Sequence, residues 1–264
     1  MQEIKQYVAT KKAQLKDYIK QTGFSKKLVI IWVGENKASE RYVRNKVKDA
    51  EELGISAITL HYGQDITESE LLENIKLLNK DDSVGGYIVQ LPLPDHIDVK
   101  KIMLAVDPKK DIDGFHPLNT KVFPATPAGI LNYLESQNFI FEGKNAVILG
   151  RSDIVGKPMQ KLLLEKDMNV VNLHSHTTDK DRMYYLSHAD LIICAVGKQN
   201  IITVHNKLKA SAVIMDVGIN VGVDGKLHGD CQPNLPVRFQ SPVPGGCGLL
   251  TRLTLMENLL KLNE

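Results

Sequence analysis

Cysteine is scarce in this 264-residue chain. Cys194, Cys231 and Cys247 are odd in number, widely separated and without a C-x-x-C pair, which argues against a disulfide framework and a zinc site and points to a reducing compartment. Charge of one sign is also lacking. The 33 Lys and Arg side chains nearly cancel the 31 Asp and Glu, leaving no field to hold nucleic acid or a membrane surface. No window reaches the roughly 18 uninterrupted apolar residues of a membrane span. The opening MQEIKQYVATKKAQLKDYIK is charged and helical, without the apolar centre of a signal peptide. There is no internal repeat and no low-complexity segment. The expectation is a cytoplasmic globular protein with small-molecule partners and neither nucleic acid nor membrane.

What is present is an apolar fraction of 43%, enough for a substantial core in one large domain or two modest ones. Short runs rich in Val and Ile recur at residues 28–34, 57–62, 85–90, 145–150, 169–174, 190–197 and 212–218 and read as buried strands. Helical patterns such as SERYVRNKVKDAEELG and KPMQKLLLEK alternate with them, so the fold class is α/β with parallel sheets. The loop-rich PKKDIDGFHPLNTKVFPATP interrupts the alternation and divides two α/β units. The last helix, LLTRLTLMENLLKL, has no strand after it and suits either unit.

The helix from Ser39 to Leu53 takes Ser39 as N-cap and stops at Gly54. At about 100° per residue Tyr42, Val43, Val47, Ala50 and Leu53 share one arc, and Lys46 falls inside it. Such a lysine is either poorly solvated, with its pKa lowered towards a useful range, or snorkels over the edge of the stripe. Gln90 ends the strand GGYIVQ and runs into LPLP; it is either a turn residue or a neutral amide positioned to hold a lysine. Asp113 in KDIDGFHP is either an Asp-Gly turn or a carboxylate able to accept two parallel hydrogen bonds from a heterocycle edge.

The run NAVILGRSDIVGKPMQKLLL reads as strand, turn and helix, with Gly150 closing the strand, Gly156 at the helix entrance and Pro158 in its first turn. The helix N-terminus favours a pyrophosphate, although the spacing is not G-x-G-x-x-G. The next strand ends in His174-Ser175-His176-Thr177, with no carboxylate for a ribose 2′-hydroxyl before Asp179. Arg151 offers a guanidinium to a 2′-phosphate, so the pattern leans to NADP. His174 and His176 have no third ligand in sequence, and no metal is expected.

Together YVRNK (42–46), VQLPLP (89–94), KDIDGFHPLN (110–119), GRSDIVGKP (150–158) and PVPGG (242–246), in this order, resemble the signature segments of the bifunctional methylenetetrahydrofolate dehydrogenase/cyclohydrolase family. The resemblance implies two α/β domains around a cleft. A catalytic folate-binding domain takes residues 1–117 plus the C-terminal helix at about 249–264, and a Rossmann-like, doubly wound NADP domain takes 118–248. It implies Lys46, Gln90 and Tyr42 as catalytic residues, with Tyr42 stacking on folate and Asp113 gripping the pterin. Pro244, Gly245 and Gly246 would complete the folate site, and Gly150, Arg151, Ser152, Val155, Gly156, Ser175 and Ile219 would bind NADP. Family members are commonly homodimers.

Five features depart from the family pattern. The short leading strand is missing, Leu249 and Gln199 stand where proline is usual, His176 where a basic residue is common, and Lys121 where glycine is common. None removes a catalytic group, and without a synthetase domain formate activation is not expected. Three other readings compete: a dehydrogenase without effective cyclohydrolase activity, a shikimate-type two-domain dehydrogenase, and a non-catalytic NADP sensor. VQLPLP and DIDGF argue against the second, and the joint presence of Lys46, Gln90 and Asp113 argues against the third.

Overall fold

The computed structural model describes residues 1–264, the side chain of Ala38 excepted. The chain divides into two compact units, one of residues 9–125 and 252–264 and one of residues 1–8 and 126–251. The first unit contains most of α1 (Ile4–Thr22), then β1 (Lys27–Val33), α2 (Lys37–Leu53), β2 (Ala57–Tyr62), α3 (Glu68–Lys80), β3 (Val84–Val89) and α4 (Val99–Ala105). Its three strands are parallel in the order β2-β1-β3. Along central β1 the side chains alternate between two cores. Leu28 and Ile30 enter one with α2 and the C-terminal helix, while Val29, Ile31 and Val33 enter the other with α3 and α4.

Strand β2 departs from the expected burial, with Ile58, Thr59 and His61 exposed. It is an edge strand with β1 as its one neighbour, so its apolar residues are covered only in part. The N-cap of α2 also differs from expectation. Asn36 Oδ1 accepts from the Ser39 N–H at 3.1 Å, and the helix begins two residues before Ser39, which is itself buried. Asparagine caps as well as serine, and the earlier of the two took the position. At the other end the Gly54 N–H bonds Glu51 O at 3.0 Å and the Ile55 N–H bonds Ala50 O at 2.9 Å, a Schellman closure.

The second unit contains α5 (Ala125–Ser136), β4 (Asn145–Leu149), α6 (Gly156–Leu164), β5 (Asn169–Leu173), α7 (Asp179–His188), β6 (Leu191–Cys194), β7 (Val213–Asp216), a hairpin of β8 (Asn220–Val221) and β9 (Leu227–His228), and β10 (Phe239–Gln240). Five parallel strands form one sheet in the order β10-β7-β6-β4-β5. The chain passes from β4 to β5 on one side and returns to β6 on the other. That reversal creates a switch point at the carboxyl ends of β4 and β6, where α/β sheets receive ligands. The final helix, α8 (Cys247–Leu262), enters the first unit from Arg252 onward and packs Leu255, Met256, Leu259 and Leu260 into its core.

The units divide at residues 125 and 126, within the loop-rich stretch, whereas the expected domains met at 117 and 118 and placed residues 1–8 with the first. The intervening residues are tied back to the first unit: the Ala125 N–H bonds Asp113 O at 3.0 Å, and Asn258 Nδ2 of α8 bonds Ile112 O at 2.8 Å and Phe123 O at 3.3 Å. Among the described residues no helix is long and apolar enough to cross a membrane.

Candidate active site

Lys46 does not snorkel. It lies on the core-facing side of α2 with 8% exposure, and its Nζ donates to Gln90 Oε1 at 3.0 Å. Gln90 follows β3, and its backbone N–H bonds Ile31 O at 2.8 Å, which sets it at the carboxyl end of the sheet. Its amide Nε2 donates to Leu91 O at 2.7 Å, leaving Oε1 aimed at the lysine. Burial pulls the Lys46 pKa down, Asp113 opposes that shift, and Arg252 adds to it.

The Asp113 carboxylate accepts no hydrogen bond from the described residues, although its backbone oxygen is held by Ala125. Burial pushes its pKa up to about 6 against the pull of Lys46, and neighbouring Asp111 pushes in the same direction. Asp111 itself, buried, is committed to the loop. Its side chain accepts from the Gly114 N–H at 3.1 Å and the His116 N–H at 2.7 Å, and Asn119 Nδ2 binds its backbone oxygen at 2.9 Å. One aspartate of KDIDGF therefore builds the turn, and the other presents a carboxylate without a hydrogen-bond partner beside Lys46.

Tyr42 precedes Lys46 by one turn on α2 and is half-buried, and burial raises its phenol pKa. Sequence reasoning missed two further charges here. Asp49, one turn after Lys46, is buried and meets Lys12 Nζ at 2.5 Å and Arg252 Nε at 3.1 Å. The signal was a single arginine in the otherwise uncharged first turns of the last helix.

In the second unit Gly150 and Gly156 shape the turn after β4. Gly150 has φ +119°, and a Cβ there would lie 2.4 Å from Ala195 O; a Cβ on Gly156 would lie 2.4 Å from Gly150 O. The loop thus closes on itself and on the chain following β6, at the switch point. Ser152 Oγ accepts from the Val155 N–H at 3.2 Å and, more weakly, from the Gly156 N–H at 3.4 Å, fixing the entrance to α6. Arg151 and Ser152 are exposed, as are His174, Ser175 and His176 after β5 and Ile219 after β7, whereas Val155 is buried. Arg151 has no ion-pair partner among the described residues. A glycine-tight turn at a helix entrance, flanked by a free guanidinium and no acceptor carboxylate, fits a dinucleotide carrying a 2′-phosphate.

Two buried carboxylates that the sequence reading passed over hold the neighbouring loops. Asp230 accepts from the backbone N–H groups of Val196, Gly197 and Lys198 at 2.7, 3.0 and 2.9 Å, and Asp216 from those of Gly218, Asp230 and Cys231 at 3.0, 3.0 and 2.8 Å. Pro244, Gly245 and Gly246 belong to the second unit, not to the one containing Lys46. Gly246 is buried, and a Cβ there would lie 2.4 Å from Pro242 O, so the turn itself requires a glycine at this position.

The family described as tetrahydrofolate dehydrogenase/cyclohydrolase matches almost the whole chain, its catalytic domain over residues 1–113 and its NAD(P)-binding domain over residues 124–264. The bifunctional protein FolD of Streptococcus thermophilus is 47% identical over 241 residues, covering 87% of this chain and 84% of that protein. The crystal structure of the bifunctional enzyme FolD, a methylenetetrahydrofolate dehydrogenase/cyclohydrolase from Campylobacter jejuni, superposes with a TM-score of 0.93 at 40% identity, over 98% of this chain and 96% of that one. The Trypanosoma brucei enzyme complexed with NADP and inhibitor gives a TM-score of 0.93 at 27% identity, over 99% and 96% of the two chains. Matches of this extent on both domains, in sequence and in structure, leave no place for the shikimate-type reading: the chain belongs to the tetrahydrofolate dehydrogenase/cyclohydrolase family.

Proposed function

We propose that the chain oxidises 5,10-methylenetetrahydrofolate to the 5,10-methenyl compound with NADP and hydrolyses that product to 10-formyltetrahydrofolate, both at the site of Lys46. The observation that carries this reading is the buried Lys46 amine, held by the neutral Gln90 oxygen at 3.0 Å and opposed by the unbonded carboxylate of Asp113. NADP, when bound, supplies the hydride acceptor. Arg151 meets its 2′-phosphate, the Gly150 to Gly156 turn and Ser152 form its phosphate cradle, and Val155, Ser175 and Ile219 complete its site.

Tyr42 stacks on the folate ring, and Asp113 accepts from adjacent N–H donors of the pterin. Hydride transfer leaves a cationic methenyl carbon, and an uncharged lysine beside it avoids like-charge repulsion. In the hydrolytic step water bonds to that carbon and gives a proton to the Lys46 amine. The second hydroxyl proton then leaves as the carbon–N5 bond breaks and N5 takes up a proton, for a net release of one. Gln90 accepts a hydrogen bond from Lys46 in either protonation state and keeps it aimed without pairing away its charge.

We place the protein in the cytoplasm, where its 10-formyl product serves purine biosynthesis. Three free, buried cysteines support a reducing compartment. A homodimer is supported by the exposed edge strand β2, with Ile58 on its open face. The decisive assay follows NADPH formation from 5,10-methylenetetrahydrofolate, with NAD as control, alongside methenyl decay corrected for the spontaneous reaction. Absence of both activities from folded protein overturns the reading.

A further inference from the structure

Asp49 lies one helical turn beyond Lys46 and is 5% exposed, yet two cations contact its carboxylate. Lys12 of α1 takes one oxygen at 2.5 Å and also reaches Glu52 at 2.7 Å; Arg252 of α8 approaches the other oxygen at 3.1 Å. The four charges cancel, but the cluster is not symmetrical. Glu52, 46% exposed, forms its outer end; Lys12 and Arg252 are covered to a similar degree, at 21% and 19%, and Arg252 is the member whose charge reaches Lys46 and Tyr42. Lys12 is shared between Asp49 and Glu52, so Arg252 completes the pairing of Asp49, and its guanidinium cannot lose its proton.

We propose that Arg252, ion-paired with Asp49, is a positioning residue for the reaction: a permanent positive charge that acts on the chemistry through the Lys46 amine. The proposal rests on the role given to Lys46 above. The groups facing Lys46 are Gln90 from the end of β3, Asp113 from the loop after α4, Arg252 from α8, and Tyr42 and Asp49 on its own helix, with Lys12 of α1 acting through Asp49. Asp113 favours the ammonium, and Arg252 and burial disfavour it. Without Arg252, Lys46 and Asp113 drift towards an ion pair. An ammonium so paired cannot take a proton from water, and it repels a cationic methenyl carbon.

The test uses the full chain with lysine carrying ¹³C at Cε, its Lys46 resonance identified by loss in Lys46→Met. In Arg252→Gln, where Lys12 still pairs Asp49, the Lys46 titration midpoint rises, and in Arg252→Lys it stays near that of the parent. The midpoint of the pH profile for methenyl hydrolysis moves with it. Should Arg252→Gln be unstable, Asp49→Asn/Arg252→Gln compared with Asp49→Asn reads the same displacement. An unmoved Lys46 midpoint overturns the proposal, as does equal loss of activity in Arg252→Gln and Arg252→Lys without a pH displacement. The titration is independent of turnover, so a parent protein without folate activity would defeat the functional reading separately.

Discussion

Lys46 Nζ donates to Gln90 Oε1 at 3.0 Å, and this is its one hydrogen bond to the described residues. A carboxylate in the place of Gln90 would hold the lysine as a closed ion pair. The amide oxygen accepts from the nitrogen both as ammonium and as amine, and the shift in its protonation comes from burial, Asp113 and Arg252.

Lys46→Met keeps the length of the side chain and removes its amine. Loss of cyclohydrolase activity by at least about 100-fold is expected, the scale of a general acid/base group. Hydride transfer depends more on orientation, and part of the NADP-linked activity survives. Methenyl decay at several pH values, measured beside NADPH formation, checks both. Near-normal hydrolysis in the folded variant would remove Lys46 from the mechanism.

Asp113→Asn is expected to weaken folate binding in both reactions while stabilising the protein. Its folded pKa of about 6 lies above the unfolded value, so between roughly pH 4 and 6 the native state holds a proton that the unfolded chain has lost. The carboxyl's stabilising contribution is complete below the unfolded pKa and is lost as pH rises through the folded one. The gain in Tm from Asp113→Asn should therefore appear at pH 8 and vanish near pH 3. A substitution without effect on Tm at pH 8 would contradict the buried-carboxyl assignment.

Arg151→Ala should raise the KM for NADP and narrow the preference over NAD, because the guanidinium is the cation free to meet a 2′-phosphate in its loop. Methenyl hydrolysis, which needs no hydride acceptor, should stay largely intact. Equal use of NAD and NADP by the unsubstituted protein would defeat the assignment, with His176 the first residue to examine.

Gly156→Ala places a methyl 2.4 Å from Gly150 O and 2.8 Å from Arg151 Cα, both backbone atoms that cannot swing aside. A cost of about 1 to 3 kcal/mol is expected from such overpacking. Calorimetry should show the loss in stability, and NADP-dependent oxidation should fall well before methenyl hydrolysis. Unchanged NADP affinity in a stable variant would show that the turn accommodates the methyl and that its tightness is unrelated to the cofactor.

Local chemistry made much of this protein legible from its sequence. The seven Val- and Ile-rich runs all became strands, the central ones because a parallel sheet covered on both faces demands continuous apolar segments, and β2 as a partly covered edge. Lys46 stood out because a charge within an apolar arc conflicts with its helix, and the ordered motifs pointed to the family. The two-residue strands β8, β9 and β10 left no such trace, since pairing over two residues needs no apolar run. Only the tertiary structure decided which aspartate of KDIDGF builds the turn and which is left unbonded, and that Asp49 and Arg252, 203 positions apart, meet beside Lys46. The first turns on which of two neighbouring carboxylates meets the Gly114 and His116 N–H groups, a matter of backbone path that composition does not encode, and the second on α8 packing against α2, a contact between distant segments.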